Sequence, residues 1–117
     1  MKGDNIALRL LEFAKGVIKV NEEISKTVSG KHIGKQLLRA GTSGGANYEE
    51  ARAAESRADF AHKVGVAAKE MRESLFWLRL VSEAGLADEL QVKVLSREAS
   101  ELVAILMSSS KTAKARC

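Results

Sequence analysis

Asp59-Phe-Ala-His62 sets a carboxylate three positions before an imidazole, the spacing at which a helix presents both groups on one face. Carboxylate-bridged di-iron and di-manganese centres in helical bundles take this pattern, as Glu-x-x-His, from each of two helices, and one further Glu from each of the other two. Glu49, Glu50, Glu70 and Glu73 are the acids on plausible neighbouring segments, but the chain has a single carboxylate-x-x-His and two histidines in all. Half of a two-part motif does not assemble a centre. The acids are expected on solvated faces or against arginines, and no metal or other cofactor is predicted.

A second candidate is the run Arg39-Ala-Gly-Thr-Ser-Gly-Gly-Ala-Asn47, which holds three of the nine glycines. It lacks the Gly-Lys-Ser/Thr ending of a phosphate-binding loop and follows no strand pattern. No Gly-x-Ser-x-Gly elbow is present. Thr42 and Ser43 have no His or Lys base near them in sequence, and a mid-helix Ser43 is expected to bond back to a carbonyl one turn earlier. No catalytic residue is assigned, and the chain is predicted not to be an enzyme.

Charge offers a third kind of chemistry. Lys31, Lys35 and Arg39 recur at steps of four and form one basic stripe, with His32 beside it. On the same segment the acids Glu49, Glu50 and Glu55 come late. Both placements oppose the helix dipole, by a few tenths of a kcal/mol each, roughly. Local helix stability therefore did not select them. A partner is the remaining reason: phosphates of RNA or DNA, or a neighbouring subunit matching charge to charge. Lys69, Arg72, Arg79 and the basic C-terminal tail are weaker candidates for the same contact, and the net charge of +4 permits it.

The elements that position these residues follow from composition and periodicity. With 117 residues, no proline, 4% aromatics and an abundance of Ala, Leu, Lys, Glu and Arg, one all-α domain is predicted. No apolar run approaches the roughly 20 residues of a membrane span, and charges inside the first apolar stretch argue against a secretory signal. A cytoplasmic location is expected. Cys117, alone and terminal, is expected to be a dangling thiol.

Four amphipathic segments emerge. The first, about 5–20, carries Ile6, Leu10, Phe13, Val17 and Val20, widened by Leu11, Ala14 and Ile18, with Asp4 or Asn5 as N-cap. Polar residues 21–30 read as a connection. The second, about 31–55, carries Ile33, Leu37, Ala40, Gly44, Tyr48 and Ala51. Leu37 to Gly44 and Gly44 to Ala51 are seven residues each, so the stripe keeps phase through the glycines, which a linker has no reason to do. Ser56 to Asp59 has the spacing of a capping box before the third segment, about 57–84, whose stripe is Phe60, Val64, Ala67 or Ala68, Met71, Leu75, Leu78 and Val81. Gly85 is placed to close it in a left-handed C-cap. The fourth, about 87–109, carries Leu90, Val94, Leu95, Leu102, Ile105 and Leu106, and residues 110–117 are expected to fray. The default assembly of four such helices is an antiparallel up-down four-helix bundle.

Within that bundle Gly41, Gly44 and Gly45, at steps of three and one, make a nearly bare helix surface that lets another helix approach closely. Asn47, on or beside the apolar stripe, needs hydrogen-bond partners and is expected to fix register with the third helix through Glu70, Arg72 or Glu73. Trp77, beside Phe76, widens the third stripe and is expected, with Phe76, in core or subunit contact, with stacking on a base as the lesser alternative for Trp77.

The residues "GKQLLRAGTSGGANYEEA" followed by "DFAHKVGVAAKEMRESLFWLRL" resemble the 23S rRNA intervening-sequence proteins, first recognised as reading frames inside inserts in bacterial ribosomal RNA genes. The specific parts are Arg39-x-x-x-Ser43, Ala46-Asn47-x-x-Glu50, and Lys69-Glu70 through Trp77-Leu78, and the resemblance runs from about Ile6 to Leu106. Gly44, Tyr48 and Leu75 depart from the family's usual pattern, which favours a branched apolar residue, Ile and Glu there. The resemblance implies a short four-helix bundle assembling into a ring-shaped homopentamer with no established enzymatic activity. It also implies kinship with the accessory protein of diversity-generating retroelements, a basic pentamer that contacts a reverse transcriptase and nucleic acid. Expected partners are therefore further copies of the chain, RNA or DNA, or a nucleic-acid-processing protein. The alternative is a protein–protein module that binds no nucleic acid.

Overall fold

The computed structural model describes residues 3–116, so Cys117 lies outside the described residues. Four helices make up nearly all of it: α1 (Asp4–Ile24), α2 (Val28–Arg52), α3 (Arg57–Glu83) and α4 (Glu89–Ala115), with no strand among the described residues. They pack as a bundle 47 Å long and 22 by 20 Å in section. α3 packs extensively on α2 and α4, α1 packs on α2 and lightly on α4, and α1 and α3 do not meet, which places them diagonally.

The predicted stripe of α2 is buried in full: Ile33, Leu37, Ala40, Gly44, Tyr48 and Ala51 all lie in the interior. Its glycines are where neighbours come closest. A methyl group at Gly41 would stand 2.9 Å from Val17 Cγ2, so that position admits α1, whereas one at Gly45 would only touch α1, 3.4 Å from Leu10 Cβ. A methyl at Gly44 would stand 2.5 Å from Met71 Sδ, so that position admits α3. The run that reads as one bare surface therefore serves two neighbours, because Gly44 lies some 100° around the helix from Gly45.

Helix ends differ from the sequence expectation in ways that burial explains. α1 continues through the expected connection to Ile24, which adds a buried turn after Val17 and Val20. Only three residues then join it to α2, whose N-cap is Thr27, its hydroxyl accepting the Gly30 N–H at 3.0 Å. At the start of α1 neither Asp4 nor Asn5 is the cap; Gly3 takes that place in a left-handed conformation, and Asp4 instead pairs with Arg52 at the end of α2. Ser56 caps α3 as its spacing predicts, accepting the Asp59 N–H at 3.0 Å. Gly85, at φ 66°, closes α3 with the paired bonds of a Schellman turn, Leu86 N–H to Val81 O at 3.1 Å and Gly85 N–H to Ser82 O at 3.1 Å.

α4 departs most. Its buried face is Val92, Leu95, Ala99, Leu102 and Leu106, whereas Leu90 and Val94, expected inside, are 70% and 62% exposed. This helix carries apolar residues around more than one face, and packing on α3 selects the phase that includes Ala99. The helix also runs on to Ala115 where fraying was expected. Ser110 and Ala113 extend its buried face, and the Ser110 hydroxyl donates to the Ala61 carbonyl of α3 at 2.7 Å.

Candidate functional site

Three surfaces carry the candidate residues. The first is the seam between α2 and α3. Lys31 and Lys35 are exposed and pair with no acid among the described residues, but Arg39, the third member of the basic stripe, is engaged. Its guanidinium donates to Glu70 Oε1 at 3.2 Å and to Glu73 Oε2. Glu73 also accepts the Trp77 indole N–H at 2.9 Å. That hydrogen bond first, and Arg39 second, hold the Glu73 carboxyl below its ordinary range. Arg39 is thus an interhelix tie, and a phosphate would have to compete with two carboxylates for it.

Glu70 and Glu73 consequently do not serve Asn47. The Asn47 amide donates to the Ser43 carbonyl of its own helix at 2.9 Å, so it locks no register with α3. Thr42, rather than Ser43, makes the expected backward bond, donating to the Leu38 carbonyl at 2.7 Å. In the carboxylate-x-x-His pattern, Asp59 faces Lys63 at 3.5 Å and His62 is exposed. No three His, Cys, Asp or Glu side chains converge among the described residues.

The second surface is the outer ridge of α3, built by a second periodicity beside the buried one. Lys69, Arg72, Phe76 and Arg79 follow at steps of three, four and three, all are exposed, and none of the cations pairs with an acid among the described residues. Phe76 is 58% exposed and stands edge-on to Trp77, ring centroids 5.0 Å apart. Trp77 is half-buried, with His32 of α2 against it at 6.5 Å, so an aromatic row crosses from the α2 stripe to the α3 ridge. Beside Phe76 a groove of about 530 Å³ opens between α3 and α4, with Leu75 and Val92 in its floor and Arg79 and Lys93 on its edges. Glu83 and Glu89 line the same groove. Sequence reasoning placed these cations among its weaker candidates and assigned Phe76 to an interface; the signal that unites them is the step pattern on α3.

The third surface is the outer side of α1, where Leu8, Leu11 and Ile18 are 56%, 59% and 43% exposed. They edge a groove of about 670 Å³ whose other wall is Thr42, Gly45 and Ala46 of α2. On the other side of α1, Gly16 lets Leu95 approach, and the exposed Leu90 and Val94 of α4 line a groove with Glu12, Lys15 and Lys19.

α1 is tied to the N-cap of α4 by Glu23, whose carboxylate accepts the Asp88 N–H at 3.0 Å, and to the middle of α4 by Arg9. Arg9 donates to Glu98 at 2.9 and 2.6 Å and to Glu101 at 3.0 Å. The hydrogen bonds from Arg9 hold the Glu98 carboxyl below its ordinary value of 4.5. A carboxylate lowered in the folded state stabilises fully above its unfolded pKa and loses that contribution as pH falls through the folded one. Arg9→Gln is therefore expected to lower stability by about 1 kcal/mol or less near neutrality. Denaturant melts at stepped pH should show the parent–variant difference shrinking once pH falls below 4.5. A difference that stays constant to the acid limit would mean that the bridge contributes nothing electrostatic.

Fold and surface together define a small four-helix bundle with exposed cations and an exposed aromatic on α3 and exposed aliphatic side chains on α1. The chain belongs to the 23S rRNA-intervening sequence protein family, whose model matches residues 5–108. It is similar to a solved protein of unknown function from the S23 ribosomal protein family of Bacteroides thetaiotaomicron, at 33% identity and a TM-score of 0.80, over 88% of this chain and 95% of that one. No curated protein matches the chain. No helix among the described residues is long and apolar enough to cross a membrane.

Proposed function

We propose that the chain is a non-enzymatic scaffold that self-associates through the outer side of α1, as a ring of five copies, and contacts RNA or DNA through its basic residues. The observation that carries self-association is the exposure of Leu8, Leu11 and Ile18 together along a largely apolar groove between α1 and α2. Two unlike apolar patches flank α1, the α1–α2 groove and the Leu90–Val94 edge of α4. Unlike patches suit head-to-tail contacts, which close into rings when the rotation permits. An antiparallel up-down course of α2 and α3 is supported by the order of their pairings, His32 with Trp77, Arg39 with Glu73, and Gly44 with Met71.

Native mass spectrometry with light scattering tests the assembly. The parent should give one closed oligomer, with five copies expected from the family, and Leu11→Lys with Ile18→Lys should reduce it to a helical monomer. A parent that is monomeric at about 100 μM, or a double variant that keeps the parental mass, would end this reading. A protein partner in place of nucleic acid is favoured to the extent that Arg39 is already neutralised by Glu70 and Glu73.

A further inference from the structure

We infer that the outer ridge of α3 is a docking strip for single-stranded nucleic acid, with Phe76 as the stacking platform for one base and Lys69, Arg72 and Arg79 as its phosphate contacts. The inference rests on the nucleic-acid part of the function proposed above and moves its centre from the α2 stripe to α3.

Three observations carry it. The first is spacing: the four side chains line one face of one helix, and Lys69 to Arg79 spans about 15 Å at 1.5 Å per residue, room for a few nucleotides. The second is availability, since these cations meet no acid among the described residues, whereas Arg39 is held by Glu70 and Glu73. The third is the aromatic. Phe76 is more than half exposed between the cations Arg72 and Arg79, its ring braced edge-on by Trp77, and the groove at its side is lined by Leu75 and Val92 with Arg79, Lys93, Glu83 and Glu89. A single exposed ring is ordinary on a protein surface, but a ring set between unpaired cations fits a base attached to phosphates better than it fits an acidic protein segment.

The strand is preferred to a duplex because stacking needs an unpaired base face, which a duplex keeps inside its own stack. The ridge also lies diagonally across the bundle from the apolar side of α1, since α1 and α3 do not meet. An assembly built through α1 need not cover α3, so each copy can add one strip to a multivalent surface.

The test is fluorescence anisotropy of a labelled 20-nucleotide single-stranded RNA, the same sequence as a duplex, and polyglutamate, at two salt concentrations. The parent should bind the single strand tighter than the duplex, and polyglutamate weakly. Phe76→Ala should weaken single-strand binding by about tenfold and leave the duplex nearly unchanged. The triple variant Lys69→Gln, Arg72→Gln, Arg79→Gln should flatten the salt dependence by about two phosphate equivalents, and Lys31→Gln with Lys35→Gln should flatten it less. Native mass and circular dichroism accompany every variant. Polyglutamate binding as tight as RNA, equal losses on strand and duplex for Phe76→Ala, or no loss at all would overturn the strip. A change of oligomeric mass in Phe76→Ala would assign that ring to a subunit contact and overturn it too. A parent that binds no RNA at low salt sinks the nucleic-acid reading itself, whereas a parent that binds but ignores the α3 variants sinks only the location.

Discussion

Gly30→Ala is expected to destabilise the fold by about 3 kcal/mol, at the upper end of ordinary overpacking. Gly30 stands in the first turn of α2, and a methyl group there would lie 1.8 Å from the carbonyl oxygen of Ile24 and 2.8 Å from Thr27 Oγ1. The Ile24 oxygen cannot retreat by a change of rotamer, and the Thr27 hydroxyl can do so only by giving up its cap bond. The first is backbone at the last residue of α1, and the second is the cap hydroxyl that accepts the Gly30 N–H. Relief therefore requires moving the three-residue connection, which loosens the cap and withdraws Ile24 from the core. The ordinary gain of Ala over Gly in a helix, about 1 kcal/mol at most, is too small to compensate. Thermal melting followed by circular dichroism should show a midpoint lower by about 10 °C or more. A variant melting within about 2 °C of the parent would mean that the connection shifts without cost.

Gly44→Leu is expected to cost about 1 to 2 kcal/mol net, the balance of an overpacking penalty of about 1 to 3 and a helix-propensity gain just under 1. The penalty arises because Met71 Sδ already occupies the space a first carbon would take, at 2.5 Å, leaving nowhere for three more. Gly44→Ala is the informative companion. Met71 is unbranched and can swing its sulfur aside, so Ala should be nearly neutral while Leu is not. If Gly44→Leu melts like the parent and keeps its oligomeric state, close approach of α3 is not the reason for glycine at this position.

The contrast between α2 and α4 explains what could be read before the structure. α2 was legible because its apolar residues occupy one phase, Ile33 through Ala51, and because the glycines fall in that phase instead of interrupting it. Ser56 and Gly85 were legible because a cap and a left-handed turn are local chemistry, decided within a few residues. α4 was not, since Leu90 and Val94 fit one amphipathic stripe while Val92 and Ala99 fit another, and the choice belongs to α3. The candidate site shows the same division. The steps linking Lys31, Lys35 and Arg39 are plain in the chain, but Arg39's engagement depends on acids 31 and 34 positions away. Asn47 shows the converse error, in which a polar residue expected to reach across to α3 finds an acceptor one turn back on its own helix.

The light contact between α1 and α4 has a kinetic consequence. Arg9 and Glu98 are 89 positions apart, and the seam they tie is the least densely packed in the bundle. α2, α3 and α4 meet their neighbours through short connections, so those contacts form at little loop entropy. The α1–α4 seam asks for the longest chain closure and returns the least packing, so it is expected to close last in folding and to open first in native-state hydrogen exchange. In that case a neighbouring copy clasping the outer side of α1 would slow the opening of that seam.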